Sequence, residues 1–175
     1  DLAGTYKVDH KITLSEFILT NLKAPTYTDS TITILPGWNI YDIDAYLSSK
    51  NIIKTGELLL AARDSFSEFQ SKYTFLKNVS SLEGFLYPDT YKIAKNADPK
   101  MILDRLLSEF QRKIGDSYIS LGSNAYKDLI LASIVEREER DNSQKPIVAD
   151  ILAKRVKEGI PMGADATVCY GYAKT

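Results

Sequence analysis

Apolar residues recur at helical spacing between Ser123 and Arg140, where Ala125, Leu129 and Ala132 fall along one line. The next position on that line is Glu136, so a carboxylate continues an apolar stripe while the opposite face carries Arg137. The stretch reads as one helix, opened by a capping Ser123 or Asn124 and stopped by the Asp141-Asn142-Ser143 loop. Glu136, Glu138 and Glu139 crowd its C-terminal end, where the helix macrodipole favours cations by about 0.3–1 kcal/mol per charge. Local rules broken together mark a candidate functional position. A solvated, salt-bridged helix end explains the same residues, because Arg140 lies four positions after Glu136. Spacing alone leaves both readings open.

The pattern before this helix predicts short alternating units. Leu2 to Val8 reads as a turn and a strand, and Thr13-Leu-Ser-Glu16 as a capping box for a helix burying Phe17, Ile18 and Leu22. Thr31-Ile-Thr-Ile-Leu35 alternates as a strand closed by a Pro36-Gly37 turn. Ile40, Ile43 and Leu47 mark a helix, and Thr55-Gly-Glu-Leu58 begins another that runs through Ala62. Strand, turn, helix, loop and helix resemble a LysM-like βαα module over residues 31–75. Trp38 beside the turn reads as a lid on this small core or as a platform on which a sugar stacks. An aromatic-bearing connector from Phe66 to Ser81 is the expected boundary.

Thr90-Tyr-Lys-Ile93 followed by a helix cap at Asp98 echoes Thr5-Tyr-Lys-Val8 followed by Thr13. Phe17, Ile18 and Leu22 match Ile102, Leu103 and Leu107, which predicts two similar strand-to-helix pieces. The second helix, with Pro99 at its first position, is expected to run to about Ile114 and end at Gly115. Pro146 opens a further helix with Ile147, Val148, Ile151, Leu152 and Val156 inward, ended by Gly159. Residues 160–171 are rich in turn residues and show little regular pattern. The expectation is an α+β chain in three parts: a partial strand–helix unit over 1–30, the LysM-like module over 31–75, and a mixed, helix-rich catalytic unit over 81–175. Its abrupt ends predict further sequence on both sides.

Composition narrows the chemistry. Twenty-two basic and 23 acidic residues leave a net charge of −1, and no basic stripe appears, so nucleic acid is not an expected partner. One cysteine, Cys169, and one histidine, His10, exclude an internal disulfide framework and a Cys/His metal site. The histidine lies far from any serine motif and no Gly-x-Ser-x-Gly elbow occurs, which argues against a Ser-His-Asp site, and no phosphate-binding glycine motif occurs. Cys169 reads as a small buried residue. No apolar run reaches the length of a membrane span or a signal peptide. Carboxylate chemistry remains, with Glu83, Asp89 and Asp165 as candidates outside the helix. Ordinary glycoside hydrolysis uses two carboxylates at a defined separation. A single acid suffices where the substrate carries its own nucleophile, and burial along the apolar stripe would suit Glu136 to that work.

Three segments, Leu82-Glu-Gly-Phe-Leu-Tyr-Pro-Asp-Thr-Tyr91, Leu131-Ala-Ser-Ile-Val-Glu-Arg-Glu138 and Asp165-Ala-Thr-Val-Cys-Tyr-Gly171, resemble the signatures of the YceG-like, or MltG, endolytic murein transglycosylases. The resemblance runs from about Leu2 to the end of the chain. It implies an enzyme that cuts peptidoglycan glycan strands internally, between N-acetylmuramic acid and N-acetylglucosamine, leaving 1,6-anhydro ends and limiting strand growth. On that pattern Glu136 is the catalytic acid, and no metal or cofactor is required. Glu83, Tyr87, Tyr91, Asp165, Thr167 and Tyr170 become substrate-binding candidates, against plainer roles for the tyrosines as core and for Glu83 as the cap of a turn. The resemblance also implies a bacterial protein held to the cytoplasmic membrane by an N-terminal helix, working on the extracytoplasmic side beside cell-wall synthases. Gly163, Ala164 and Ala166 stand where the family often has Gln, Ser and Pro, and Lys154 stands where Asn is usual. The competing classes are a non-catalytic wall-binding scaffold and a muramidase that uses water, with Asp165 or Glu83 as base.

Overall fold

The alternation at residues 31–34 puts Ile32 and Ile34 on one face and the threonines on the other, and a half-buried strand is the result. In the computed structural model, which describes residues 13, 15, 29–94 and 97–173, this strand is β1 (Asp29–Thr33). It pairs antiparallel with β2 (Thr90–Ala94), Ile32 opposite Tyr91 and Thr33 opposite Thr90. Ile34 extends the ladder by donating its N–H to the Asp89 carbonyl at 3.0 Å. On the outer face the Thr33 and Thr90 hydroxyls meet at 3.0 Å, a cross-strand pair across 57 residues of chain. The expected repeat between residues 5–22 and 90–107 lies outside the described residues in its first half.

Helices fill that long connection. α1 (Ile40–Ser49) starts at a full capping box, in which the Asn39 side chain accepts from the Asp42 N–H and Asp42 accepts from the Asn39 N–H. Its stripe of Ile40, Ile43 and Leu47 is buried. α2 (Glu57–Asp64) follows a left-handed Gly56, and α3 (Phe66–Lys72) leads into a short 3-10 turn at Thr74–Leu76. The segment expected as a connector is therefore helix and core: Phe69, Tyr73, Phe75, Leu76 and Val79 are all buried. Its aromatic residues pack rather than link. Rings of Phe75, Phe85 and Phe110 lie 4.8–5.6 Å apart, within the range favoured for aromatic pairs. Asp104 also ties α3 to the next helix, accepting from Lys72 Nζ at 2.6 Å and from the Tyr73 hydroxyl at 2.8 Å.

α4 (Pro99–Phe110) begins as its sequence predicts, with the Asp98 side chain accepting from the Lys100 N–H at 2.8 Å. It does not end at Gly115. A π-type turn, Gln111–Gly115, carries the chain directly into α5 (Asp116–Ser120). Gly115 has φ −54°, so its glycine serves space and not a left-handed turn: a Cβ there would sit 3.3 Å from Gln111 Cγ. The break comes at the left-handed Gly122.

α6 (Ala125–Glu138) and α7 (Lys145–Glu158) pack together, and α7 stops at Gly159 in the left-handed conformation. The expected inner face of α7 is shifted by one residue. Val148, Ala149 and Leu152 pack under α6, whereas Ile147, Ile151 and Val156 are exposed, Val156 to 59 %. Periodicity sets the stripe, but among the described residues only one side of α7 has a neighbour to meet it. The last segment is also more regular than its composition predicts, because Asp165–Ala173 forms helix α8.

The architecture is mixed α and β, mostly helical, around one two-stranded sheet among the described residues. A continuous apolar core runs from β1 and α1 through α3 and β2 to α4 and the start of α6. A second, smaller cluster of Ile134, Val135, Leu152 and Ala164 lies under the far end of α6. α6 thus leaves the main core at Ala125 and reaches the small cluster at its other end. Its intermediate turns border a cavity between the two.

Candidate active site

The stripe on α6 that begins in the core at Ala125 opens into this cavity, of about 790 Å³, at Leu129, Ala132 and Glu136. Residues of the Leu35–Asn39 turn, of the 80–88 segment and of α8 supply the other walls. Glu136, Glu83, Tyr87, Thr167 and Tyr170 all line it, so residues from the three sequence signatures meet at one opening. Tyr91 and Asp165 do not reach it. Tyr91 points into the core from the inward face of β2, 4 % exposed, and donates its hydroxyl to the Tyr87 carbonyl. Asp165, exposed, is the first residue of α8 and lies outside the lining.

The carboxylates that crowd the C-terminal end of α6 each serve a different element. Glu138 Oε1 accepts from the Ala166 N–H at 2.9 Å, so it caps the N-terminus of α8. Glu139 accepts from the Asp141 N–H at 2.7 Å and shapes the following loop. Glu136 is met by Lys145, whose Nζ lies 2.7 Å from Oε2, and not by Arg140, its neighbour in the sequence. The Glu136 side chain is 38 % exposed, so the expected desolvated acid is instead an ion-paired group at the cavity wall. Lys145, at the first position of α7, was not among the sequence candidates. The signal was available: a cation at a helix N-terminus breaks the same electrostatic rule as the glutamates do.

Arg137, beside Glu136, docks α6 onto the sheet side of the molecule. Its Nη1 donates to the Gly37 carbonyl at 3.2 Å and lies 3.4 Å from Asp42 Oδ2. The turn comes close enough that a Cβ on Gly37 would touch Arg137 Cγ at 3.5 Å, and Gly37 holds φ +81°, which favours glycine.

Glu83 is the other carboxylate on the wall. Burial pushes its carboxyl above the ordinary glutamate value, and nearby Asp42 adds to this, against hydrogen bonds that favour the anion. Oε2 accepts from the Ile40 N–H at 3.2 Å and from the Tyr170 hydroxyl at 3.1 Å. Glu83 thereby joins the start of α1 to α8 across the cavity. Burial, with the facing Glu83, also pushes the Tyr170 phenol up. Because the folded state binds the Glu83 proton more tightly than the unfolded chain, this group's stabilising contribution is complete below the unfolded value. It is lost as pH rises through the folded one. Glu83→Gln keeps both acceptor contacts and has no charge to desolvate. Its melting temperature relative to the parent is therefore expected to climb across that acidic window; a difference that stays flat or falls would refute the burial argument.

The loop before α8 is pinned by Arg155, which donates from Nη1 to the Met162 carbonyl at 2.8 Å. Gly163 has φ +64°, and a Cβ there would lie 2.8 Å from Arg155 Nη1. Gly163→Ala meets both the left-handed penalty and the guanidinium, and is expected to cost about 1–2 kcal/mol, read as a lower denaturation midpoint. Cys169, expected as a buried residue, is exposed on α8. Among the described residues no helix is long and apolar enough to cross a membrane.

The sequence model of the YceG-like family matches residues 2–175. An endolytic murein transglycosylase of Streptococcus pneumoniae serotype 2 is 24 % identical over 96 residues, covering 53 % of this chain and 17 % of the relative. One from Bacillus subtilis strain 168 is 23 % identical over an alignment of 190 residues, covering 98 % of this chain and 52 % of the relative. The chain therefore spans about half the length, or less, of these relatives. The crystal structure of a yceG-like protein from Listeria monocytogenes superposes with a TM-score of 0.68 at 20 % identity, over 89 % of this chain and 56 % of that one. At that identity the likeness is one of fold.

Proposed function

The chain belongs to the YceG-like family, and from that premise we propose that it is an endolytic lytic transglycosylase of peptidoglycan glycan strands. The observation that carries the reading is the cavity itself, where Glu136 lies on a wall shared with Glu83, Tyr87, Thr167 and Tyr170. Glu136 donates a proton to the glycosidic oxygen as the bond from the muramic acid C1 breaks. The resulting carboxylate then takes the proton of the C6 hydroxyl while O6 bonds to C1 and closes the 1,6-anhydro ring. One group serves as acid and then as base, and no water enters the product. Glu83 is a poor choice for a second catalytic carboxylate, since its Oε2 is already engaged by the Ile40 N–H and the Tyr170 hydroxyl.

The strand–helix–helix order of β1, α1 and α2 supports the LysM-like βαα reading of residues 31–75 as a glycan-facing module. Half-buried Trp38, 5.0 Å from the Tyr46 ring and on the cavity wall, suits a stacking surface for a sugar. The proposal extends to attachment at the bacterial cytoplasmic membrane through a preceding helix, with cutting on the extracytoplasmic side beside strand synthases. Mass spectrometry of the products from purified glycan strands tests the reaction. Anhydro ends, equal in summed mass to the substrate, are expected. Ends heavier by one water would make the protein a muramidase, and binding without cleavage would make it a scaffold.

A further inference from the structure

We propose that Lys145 recognises a carboxylate carried by the muramic acid residue of the strand, and that in moving to it the lysine uncovers Glu136. This inference rests on the transglycosylase reading. Among the described residues two cations line the cavity, Arg137 and Lys145. Arg137 is committed to the scaffold through the Gly37 carbonyl and Asp42. Lys145 is 21 % exposed, and its ammonium lies 2.7 Å from Glu136 Oε2.

That pairing conflicts with the chemistry asked of Glu136. The ammonium holds one of the two oxygens through which Glu136 has to act on the glycosidic bond. Lys145 must shift before the proton is delivered. Its side chain is only 21 % exposed, and its charge is best compensated when a second carboxylate takes the place of the first. Exchange of one carboxylate partner for another keeps the charge compensated throughout. The substrate carries such groups. A peptide-free strand presents the lactyl carboxylate of muramic acid, and a peptide-bearing strand presents carboxylates of its stem. Lys145 then acts as a specificity-determining residue: strand binding and release of the acid are one event, and a cavity without an anionic substrate holds Glu136 in its ion pair.

The test uses the protein and four ligands: peptide-free strands, uncross-linked peptide-bearing strands, and each of these with its carboxylates converted to methylamides. Affinity and cleavage are measured for each. The parent protein should bind and cut at least one unmodified strand with a Kd and KM about tenfold lower than its amidated counterpart, the size expected of one charge-assisted contact. Lys145→Met should abolish that difference, and Lys145→Arg should restore most of it. Lys145→Gln repeats the measurement if the apolar replacement unfolds. The strand type that shows the difference identifies the lactyl group or the stem as the source. Absence of binding, equal affinity for carboxylate and amide forms, or a preference that survives in Lys145→Met would overturn the proposal. Selective binding without cleavage would instead remove the transglycosylase reading and leave the carboxylate recognition standing.

Discussion

Glu136→Gln is expected to lower the rate of anhydro-end formation by about 10²–10⁴-fold, the usual worth of general acid–base help. The loss belongs at the upper end of that range if one group serves both half-reactions. Glutamine keeps the length and shape of the side chain but can neither give nor take the proton. It also leaves Lys145 facing a neutral amide, at a site where the ion pair is partly solvated, 38 % exposed on the carboxylate side. Such pairs contribute roughly 0–1 kcal/mol, so the variant should melt within a few degrees of the parent. Glu139→Gln is the useful control: its carboxylate serves the Asp141 N–H at 2.7 Å and does not line the cavity. Cleavage is read as anhydro ends released per unit time. Retention of more than about a third of the parent rate by Glu136→Gln would show that the proton comes from another group.

The parts of this structure that were legible in the sequence are those specified by near neighbours. β1, α1 and α4 announce themselves through alternation, helical stripes and, for α4, the cap at Asp98. The α6 stripe likewise led from Ala125 to Glu136 and so to the cavity. What escaped was specified at a distance. The sequence of α8, Asp165-Ala-Thr-Val-Cys-Tyr-Gly-Tyr-Ala173, has no amphipathic period, and its N-terminus is capped by Glu138 from 28 residues earlier. β2 takes its register from β1, again across the chain. Lys145 meets Glu136 only because α7 packs back on α6. A stripe also says nothing of whether another element will cover it. For that reason α7 exposes Ile147 and Ile151 although they share its apolar spacing.

The largest stability loss from a single polar substitution is expected at Asp44. It falls among Ile40, Ile43 and Leu47 on the buried face of α1 and is itself only 3 % exposed. Burial of a carboxylate is costly unless its oxygens are engaged, and both are. Oδ2 accepts from the Gly56 N–H at 2.7 Å, and Oδ1 accepts from the Leu58 N–H at 3.0 Å. α2 starts at a left-handed glycine that offers no side chain to cap it, so Asp44 supplies from the preceding helix what the local sequence lacks. Each hydrogen bond to a charged group is worth about 1.5–3 kcal/mol, and a donor left buried without a partner carries its own penalty. Relief of the carboxylate's desolvation offsets part of this. Asp44→Ala should therefore cost about 3 kcal/mol, a large share of the 5–15 kcal/mol that holds a domain together. Asp44→Asn retains one acceptor oxygen and should lose about half as much. Urea denaturation of the three proteins measures both differences. An alanine variant within about 0.5 kcal/mol of the parent would mean that the α2 terminus finds its partners elsewhere.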